Sequence, residues 1–401
     1  MTVKNHDARR QFLRYLMASP VLAATPMFNA LAQDSAAVPT LDQMLNVFDF
    51  EAVAKQILPP AHWGYLATGV DDDATIAANR AGFTKYQLRV RRMIDITAID
   101  MSVTIFGQKW DSPIALCPVS SLQAFHPEGE VGAAKAALAR KHLQMCSTLS
   151  SYSIEKVQEA RGGGVWFQLY ATDQFDVTTA LLKRAHAAAC PVVAVTVDLN
   201  GGSNRETLAR LRRIDKRDCT GCHTTAAGGS PLSVKANLQG IDVSKVRSAA
   251  PTALTWESVK RMRDVYPGKL VIKGIVTRED AELAVRHGVD GLIVSNHGGR
   301  AEPSGRGTIE SLSEVIAGAN KKIPVLVDSG FRRGTDIFKA LALGATAVGV
   351  GRPYVWGLAA YGQPGVEAVL QMLRRELATI MRQAGTRSIA EITPASIIEA
   401  H

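Results

Sequence analysis

The chain is 401 residues long, 46% apolar and 21% charged, with 33 glycines, 17 prolines and five cysteines. These shares belong to an ordinary globular protein; they exclude disorder, collagen and coiled coil, and the cysteines are too few for a disulfide scaffold of this length. The net charge is +9, of which the first 32 residues supply +3 through Lys4, Arg9, Arg10 and Arg14 against Asp7, leaving +6 for the rest. That mild excess suits an anionic small substrate or an acidic partner. No Lys/Arg stripe interleaved with aromatics is present, so no nucleic-acid partner is expected.

In chain order, Ala8-Arg9-Arg10-Gln11-Phe12-Leu13-Arg14 precedes an uncharged stretch from Tyr15 to Gln33, which contains the small-x-small site Ala30-Leu31-Ala32. Paired arginines before a weakly apolar run resemble a twin-arginine export signal. Residues 1–32 are therefore expected to be a signal and 33–401 the mature domain, sited in the periplasm. The alternative is a retained anchor and membrane association, but Pro20, Pro26, Asn29 and Gln33 make a poor span.

A helical pattern over Leu41–Leu58 leads into short β-rich runs that begin at Ile114, Leu143, Val165, Val192, Leu270, Gly291, Val325 and Ala347. Helical patterns lie between them, as at Glu130–His142, Val177–Ala189, Arg278–His287 and Thr335–Leu343, and a last helix is expected over Val366–Ala384. Eight strand–helix units in a row predict an α/β fold, a TIM (β/α)8 barrel with an N-terminal helical extension. The fourth and fifth runs start 78 residues apart, so a long insertion, about residues 201–256, follows strand 4. Insertions of that length are usually functional or mobile.

The insertion carries Cys219-Thr220-Gly221-Cys222-His223 beside Arg212, Arg213, Lys216 and Arg217. Cys-x-x-Cys-His is the attachment signature of covalent haem c, with His223 as axial ligand. A Cys219–Cys222 disulfide and a small metal site are the competing readings. Cys117, Cys146 and Cys190 fall on strands or at a helix end and read as buried thiols.

Barrel chemistry lies at the C-terminal ends of the strands. Those ends carry Pro118, Ser150, Gln168 with Tyr170, Thr196 with Asp198, Lys273, Asn296 with His297 and Arg300, Asp328, and Gly351 with Arg352. Asp328-Ser329-Gly330-Phe331-Arg332-Arg333-Gly334 and Gly349-Val350-Gly351-Arg352-Pro353 close the last two strands with the glycines and arginines of a phosphate site. Lys273, after Leu270-Val271-Ile272, suits either a Schiff-base nucleophile, as in an aldolase, or a fixed cation beside a cofactor. His297 and Arg300 can bring a base and a carboxylate clamp to one small substrate.

Ser295-Asn296-His297-Gly298-Gly299-Arg300, Arg332-Arg333-Gly334-Thr335-Asp336 and Gly351-Arg352-Pro353 resemble the FMN-dependent 2-hydroxy acid oxidases and dehydrogenases, with agreement from about Asp49 to Ile397. The resemblance implies His297 as base, Asp198 as its partner, Tyr170 near the substrate hydroxyl, and Tyr65, Arg300 and Arg205 at the substrate carboxylate. It implies an FMN site formed by Pro118, Ser120, Ser150, Gln168, Thr196, Lys273, Ser295, Asp328, Gly330, Arg332, Gly351 and Arg352, no metal, and a homo-oligomer, a tetramer. Three departures stand out: Pro118-Val119-Ser120 beneath the flavin, a turn at Thr148–Tyr152 about two residues short, and Asn200 in place of a proline. The expected reaction is oxidation of a lactate-like L-2-hydroxy acid, with electrons passing to a cytochrome c or a quinone. An oxidase using oxygen and an exported flavin-bound electron carrier without turnover are the alternatives.

Overall fold

Parallel strands need covering on both faces, which is why apolar strands alternating with helices either stack as an open sheet or close into a barrel. Here they close. The computed structural model describes residues 38–217 and 232–400. The chain divides into two units at Gln43/Met44. The described part of the first holds one short 3-10 turn, Leu41–Gln43; everything below concerns the second.

Its helices begin with α1 (Val47–Ile57), α2 (Pro60–Ala67) and α3 (Ala74–Ala81). The single helix expected over Leu41–Leu58 starts late because Asn46 caps it: its side chain accepts from Phe48 N at 2.8 Å, and Asp49 Oδ2 accepts from Asn46 N at 3.1 Å. Strand β1 (Tyr86–Leu88) and a hairpin, β2 (Val103–Ile105) and β3 (Gln108–Trp110), precede the barrel. The barrel strands are β4 (Ile114–Leu116), β5 (Leu143–Ser147), β6 (Trp166–Leu169), β7 (Val192–Thr196), β8 (Lys269–Ile275), β9 (Gly291–Val294), β10 (Val325–Val327) and β11 (Ala347–Val350). They pair in sequence order, with β11 against β4 completing the ring. All eight observed starts lie within one residue of those expected. β12 (Ile397–Glu399) returns to pair with β1 in antiparallel fashion.

Helices α4 (Gly129–Ala139), α5 (Ile154–Arg161) and α6 (Phe175–Ala187) follow β4, β5 and β6. The insertion after β7 contains α7 (Glu206–Ile214) and ends at α8 (Trp256–Val265). Then come α9 (Arg278–Arg286), α10 (Thr308–Ala319), α11 (Gly334–Ala342) and α12 (Arg352–Ala384), the last interrupted by non-helical backbone at Tyr361 and Gly362. Among the described residues no helix is long and apolar enough to cross a membrane.

The barrel interior at its N-terminal end is packed with Ala115, Leu143, Met145, Trp166, Val192, Ala194, Val271, Ile293, Leu326 and Ala347, and Ile105 and Trp110 of the β2–β3 hairpin join the same cluster. Phe106, at the hairpin tip, packs against Trp166 with the rings tilted and their centroids 5.6 Å apart. The hairpin therefore stoppers that end with apolar side chains. Room for chemistry is left at the other end.

Candidate active site

Asp198 lies two residues past β7, whose last residue, Thr196, pairs with Lys273 on β8. The β8–β9 register shifts between Lys273 and Ile275, a bulge of the kind that re-aims a side chain. Gly274 sits there at φ +112°, where an added Cβ would stand 2.7 Å from Asp198 Cβ, so only glycine lets the two strands' ends approach this closely. Lys273 Nζ donates to Ser295 Oγ at 2.7 Å and lies 3.6 Å from Asp198 Oδ2 and 3.5 Å from Asp328 Oδ2. Burial alone would lower its pKa, but Asp328 and Asp198 outweigh burial and the ammonium is held above its ordinary range. A lysine fixed as a cation is a poor Schiff-base nucleophile, which needs the free amine; the geometry favours the fixed-charge reading.

His297 occupies left-handed backbone, φ +57°, just past β9. Its Nδ1 is 2.9 Å from Asp198 Oδ1 and its Nε2 is 3.3 Å from Tyr170 Oη. With a carboxylate at Nδ1, the proton belongs there and Nε2 is the basic nitrogen. Burial lowers the His297 pKa, only partly offset by Asp198. Asp198, although buried, is held below the usual carboxylate range by His297 and Lys273. Burial pushes the Tyr170 phenol up, so it stays protonated.

Arg300, on the same loop, is 7% exposed. Its Nη1 donates to Tyr65 O and Thr68 O, its Cζ lies 4.2 Å over the Tyr65 ring, and Nη2 is buried with no protein partner. Arg205, at the start of α7, donates from Nη2 to Arg300 O at 3.3 Å, and its Nε is likewise buried without a partner. Unfilled buried guanidinium donors call for an anion.

A second cationic centre lies at the ends of β10 and β11. Arg332 donates to Phe331 O at 2.9 Å, and Arg352 to Leu66 O, to Gly298 O at 2.8 Å and to Thr68 O at 3.3 Å. Neither guanidinium hydrogen-bonds a carboxylate, and burial brings each down to about 10. Gly330, φ +88°, could not be replaced: an added Cβ would lie 2.2 Å from Asn79 O. Arg80 fixes that loop by donating to Gly330 O and, at 2.6 Å, to Asp336 Oδ2.

One cleft joins these centres. It is lined by Tyr65, Pro118, Ser120, Tyr170, Lys273, His297, Arg300, Asp328, Gly330, Arg332, Gly351 and Arg352. Gln168, Thr196 and Ser295 are buried beneath: Gln168 Nε2 donates to Thr196 Oγ1 at 2.8 Å, and Ser295 serves Lys273. Ser150 is not on the cleft. Its hydroxyl donates to Tyr152 O at 2.6 Å and accepts from Asn237 Nδ2 at 2.8 Å, so the short turn after β5 folds it inward. Tyr152 leans away too, its hydroxyl on Pro127 O at 3.4 Å. Val119, Ser329 and Phe331, which lie inside the motifs, also line the cleft, and so do Leu66 and Cys117, which were not expected there; each adjoins a motif residue, which was the available signal. Cys219, Cys222 and His223 lie outside the described residues. Cys117, Cys146 and Cys190 are buried free thiols, that of Cys190 pushed up to about 12 by burial. Among the described residues no group of His, Cys, Asp and Glu could hold a metal ion.

Comparison with known proteins gives one answer. Residues 54–399 match the family model described as FMN-dependent dehydrogenase. Glycolate oxidase from Spinacia oleracea is 38% identical over 367 residues, spanning 88% of this chain and 96% of that protein. A soluble mutant of the membrane-associated (S)-mandelate dehydrogenase from Pseudomonas putida superposes with TM-score 0.81 at 30% identity, over 89% of this chain and 100% of that one. A lactate oxidase from Pediococcus acidilactici, described as putative, gives 0.80 at 32% identity, over 90% and 96%. A match that runs through the whole barrel, in sequence as well as in backbone, places this chain in the FMN-dependent dehydrogenase family, the FMN-dependent 2-hydroxy acid oxidases and dehydrogenases.

Proposed function

We propose that this protein oxidises an L-2-hydroxy acid, R–CHOH–COO⁻, to the 2-oxo acid, reading the lactate-like end of the molecule. The observation that carries this is the Asp198–His297 pair beside an Arg300 whose buried Nη2 lacks a partner. The residues fit FMN on the cleft's own terms. The buried Arg332 and the half-buried Arg352 hydrogen-bond carbonyls alone, beside the close-packed Gly330 loop, a setting made for a phosphate. Asp328 would take the ribityl chain, Lys273 the ring edge, and Pro118 to Ser120 one face. FMN, when bound, supplies the two-electron acceptor.

The chain's own residues do the rest. Arg300, stacked on Tyr65, presents its unpartnered Nη2 to the carboxylate and fixes the α-carbon. His297 takes a proton at Nε2, and Asp198 stabilises the imidazolium through Nδ1. Tyr170, kept protonated, donates toward the developing oxygen. Lys273 offsets negative charge that arises beside it. Anaerobic bleaching of the bound flavin over a panel of L- and D-2-hydroxy acids tests this; a flavin that no acid reduces would sink the proposal, and would favour the carrier without turnover.

For the acceptor, the twin-arginine-like leader and the Cys219–His223 motif support export and passage of electrons to a cytochrome c or quinone, with Arg213, Lys216 and Arg217 offering a basic face to an acidic carrier. A covalent haem at Cys219 and Cys222 is part of this proposal, as is a homo-oligomeric assembly. The oxidase names among the relatives support oxygen as acceptor instead. Intact mass of protein matured in a periplasm, and peroxide yield against cytochrome c or quinone reduction, separate the two. A bare-chain mass with rapid peroxide formation would establish the oxidase.

A further inference from the structure

The helix that presents Tyr65 to the cleft cannot cap itself. Pro59, at the N-cap of α2, offers no side-chain acceptor, and Pro60 has no N–H. The first free donor, Ala61 N, is taken from outside: Asp215 Oδ2 accepts it at 3.0 Å, across 154 residues. Asp215 is the C-cap of α7 in the insertion, its side chain 4% exposed, and it does not line the cleft. Arg217 orients the carboxylate, donating from Nε to Oδ1 at 2.9 Å and from Nη2 to Oδ2 at 2.8 Å. Arg217 and Ala61 N together hold Asp215 below the usual carboxylate range, so it meets the positive end of α2 as an anion.

The same insertion helix fastens the other end of α2. Asn204, just before α7, accepts from Asp71 N at 2.9 Å and donates from Nδ2 to Asp71 Oδ1 at 3.0 Å. Thr207 Oγ1 donates to Asp73 Oδ2 at 2.9 Å, while Asp73 Oδ1 takes Gly69 N, directly after the C-cap Thr68. Between the two fastenings Leu208 and Leu211 press on Gly64, where an added Cβ would stand 2.8 Å from Leu211 Cδ1. The C-terminal end of α2 in turn holds the arginines of the cleft. Arg300 donates to Tyr65 O and Thr68 O, and Arg352 to Leu66 O and Thr68 O. Asp198, His297 and Lys273 are carried by β7, β8, β9 and the loops after them, not by α2.

We infer that α7 is a splint for α2 and that Asp215 is a positioning residue for the substrate: acting through Tyr65 and the carbonyls that hold Arg300, it sets how tightly the substrate carboxylate is bound. This rests on the 2-hydroxy acid reading of the same site. Releasing one end of α2 loosens the carboxylate contacts and leaves the proton-handling groups in place, so binding should suffer more than turnover.

The test uses the flavin-loaded full chain and two readouts. One is the Kd of oxalate, a carboxylate with no hydrogen on carbon to give up, followed by its perturbation of the flavin spectrum. The other is KM against kcat for the 2-hydroxy acid that reduces the flavin fastest. Asp215→Ala should raise the oxalate Kd and the KM about fivefold, with kcat held within about twofold. Asp215→Asn keeps an oxygen for Ala61 N and should recover most of that loss. Thr207→Val, which removes one hydroxyl at the far end of α2, should raise the oxalate Kd about twofold, and it carries the test if Asp215→Ala does not fold. An unchanged oxalate Kd in flavin-loaded Asp215→Ala or, where that variant does not fold, in Thr207→Val overturns the inference and leaves the 2-hydroxy acid reading standing. Equal losses in Asp215→Ala and Asp215→Asn that track a fall in Tm mark a merely structural role and overturn it too. A flavin that no 2-hydroxy acid reduces in the natural chain overturns both.

Discussion

Each end of the barrel holds a histidine, His142 buried and His297 half-buried, and the two do opposite work. At the N-terminal end His142 is fully buried beside Ser112 Oγ (3.0 Å) and Ile114 O (3.2 Å), no carboxylate among its hydrogen-bond partners, and burial brings it down to about 4. At the C-terminal end His297 is joined to Asp198 at 2.9 Å, which resists the same desolvation. One is a neutral strut in a wall; the other has a counter-ion ready for its protonated form. Burial by itself therefore does not mark function in this fold. What marks it is burial with a charged partner and an open nitrogen in a cleft.

The sharpest way to break that comparison is His297→Gln. Flavin should stay bound, while its reduction by substrate slows by roughly 10²–10⁴-fold, the range of a lost general base. Stopped-flow bleaching measures this, and near-normal rates would remove His297 from the role. At the other end the expected loss is stability, not rate. Trp166, fully buried in the stoppered end, should cost about 3–5 kcal/mol when changed to Ala, with near-normal turnover in the fraction still folded. Denaturant titration beside kinetics checks both halves; loss of activity in well-folded protein would show the two ends to be coupled.

The smallest effect is in pH. His142 is harder to protonate folded than unfolded, so its contribution is complete above pH ~6.5, the unfolded histidine value, and drains away as pH falls toward the folded value of about 4. The full swing is on the order of 3 kcal/mol. Because the swing belongs to the ring, His142→Gln should flatten stability against pH over that window; an unaltered slope would assign the titration elsewhere. His297, also lowered, reads out in catalysis instead: the acid limb of kcat/KM should lie below pH ~6.5.

Much of this was legible in the sequence, and for definable reasons. Strand starts follow from short β-branched runs bounded by glycine, proline and helical patterns, all local signals, and they were placed within a residue. Asp198, Lys273, His297, Arg300 and Asp328 stood out because ionisable residues are rare at the ends of apolar strands, and the fold brings them to one cleft. The late start of α1 was local as well, written in Asn46 and Asp49, but the longer apolar pattern obscured it.

What only tertiary structure decided involves partners far apart in the chain. The β2–β3 hairpin has no strong pattern of its own; it is a stopper because Phe106 and Trp110 meet Trp166 and the first residues of the barrel strands. Ser150 sits at a motif position, yet Asn237, 87 residues later, takes its hydroxyl and holds it off the cleft. Lys235, in the insertion, reaches Ser121 in the turn after β4 across 114 residues. Local sequence sets which segments become strands and which charges sit at their ends. Which of those charges face one another, and what space remains between them, depends on ring closure and on a bulge at Gly274, and no window along the chain contains either.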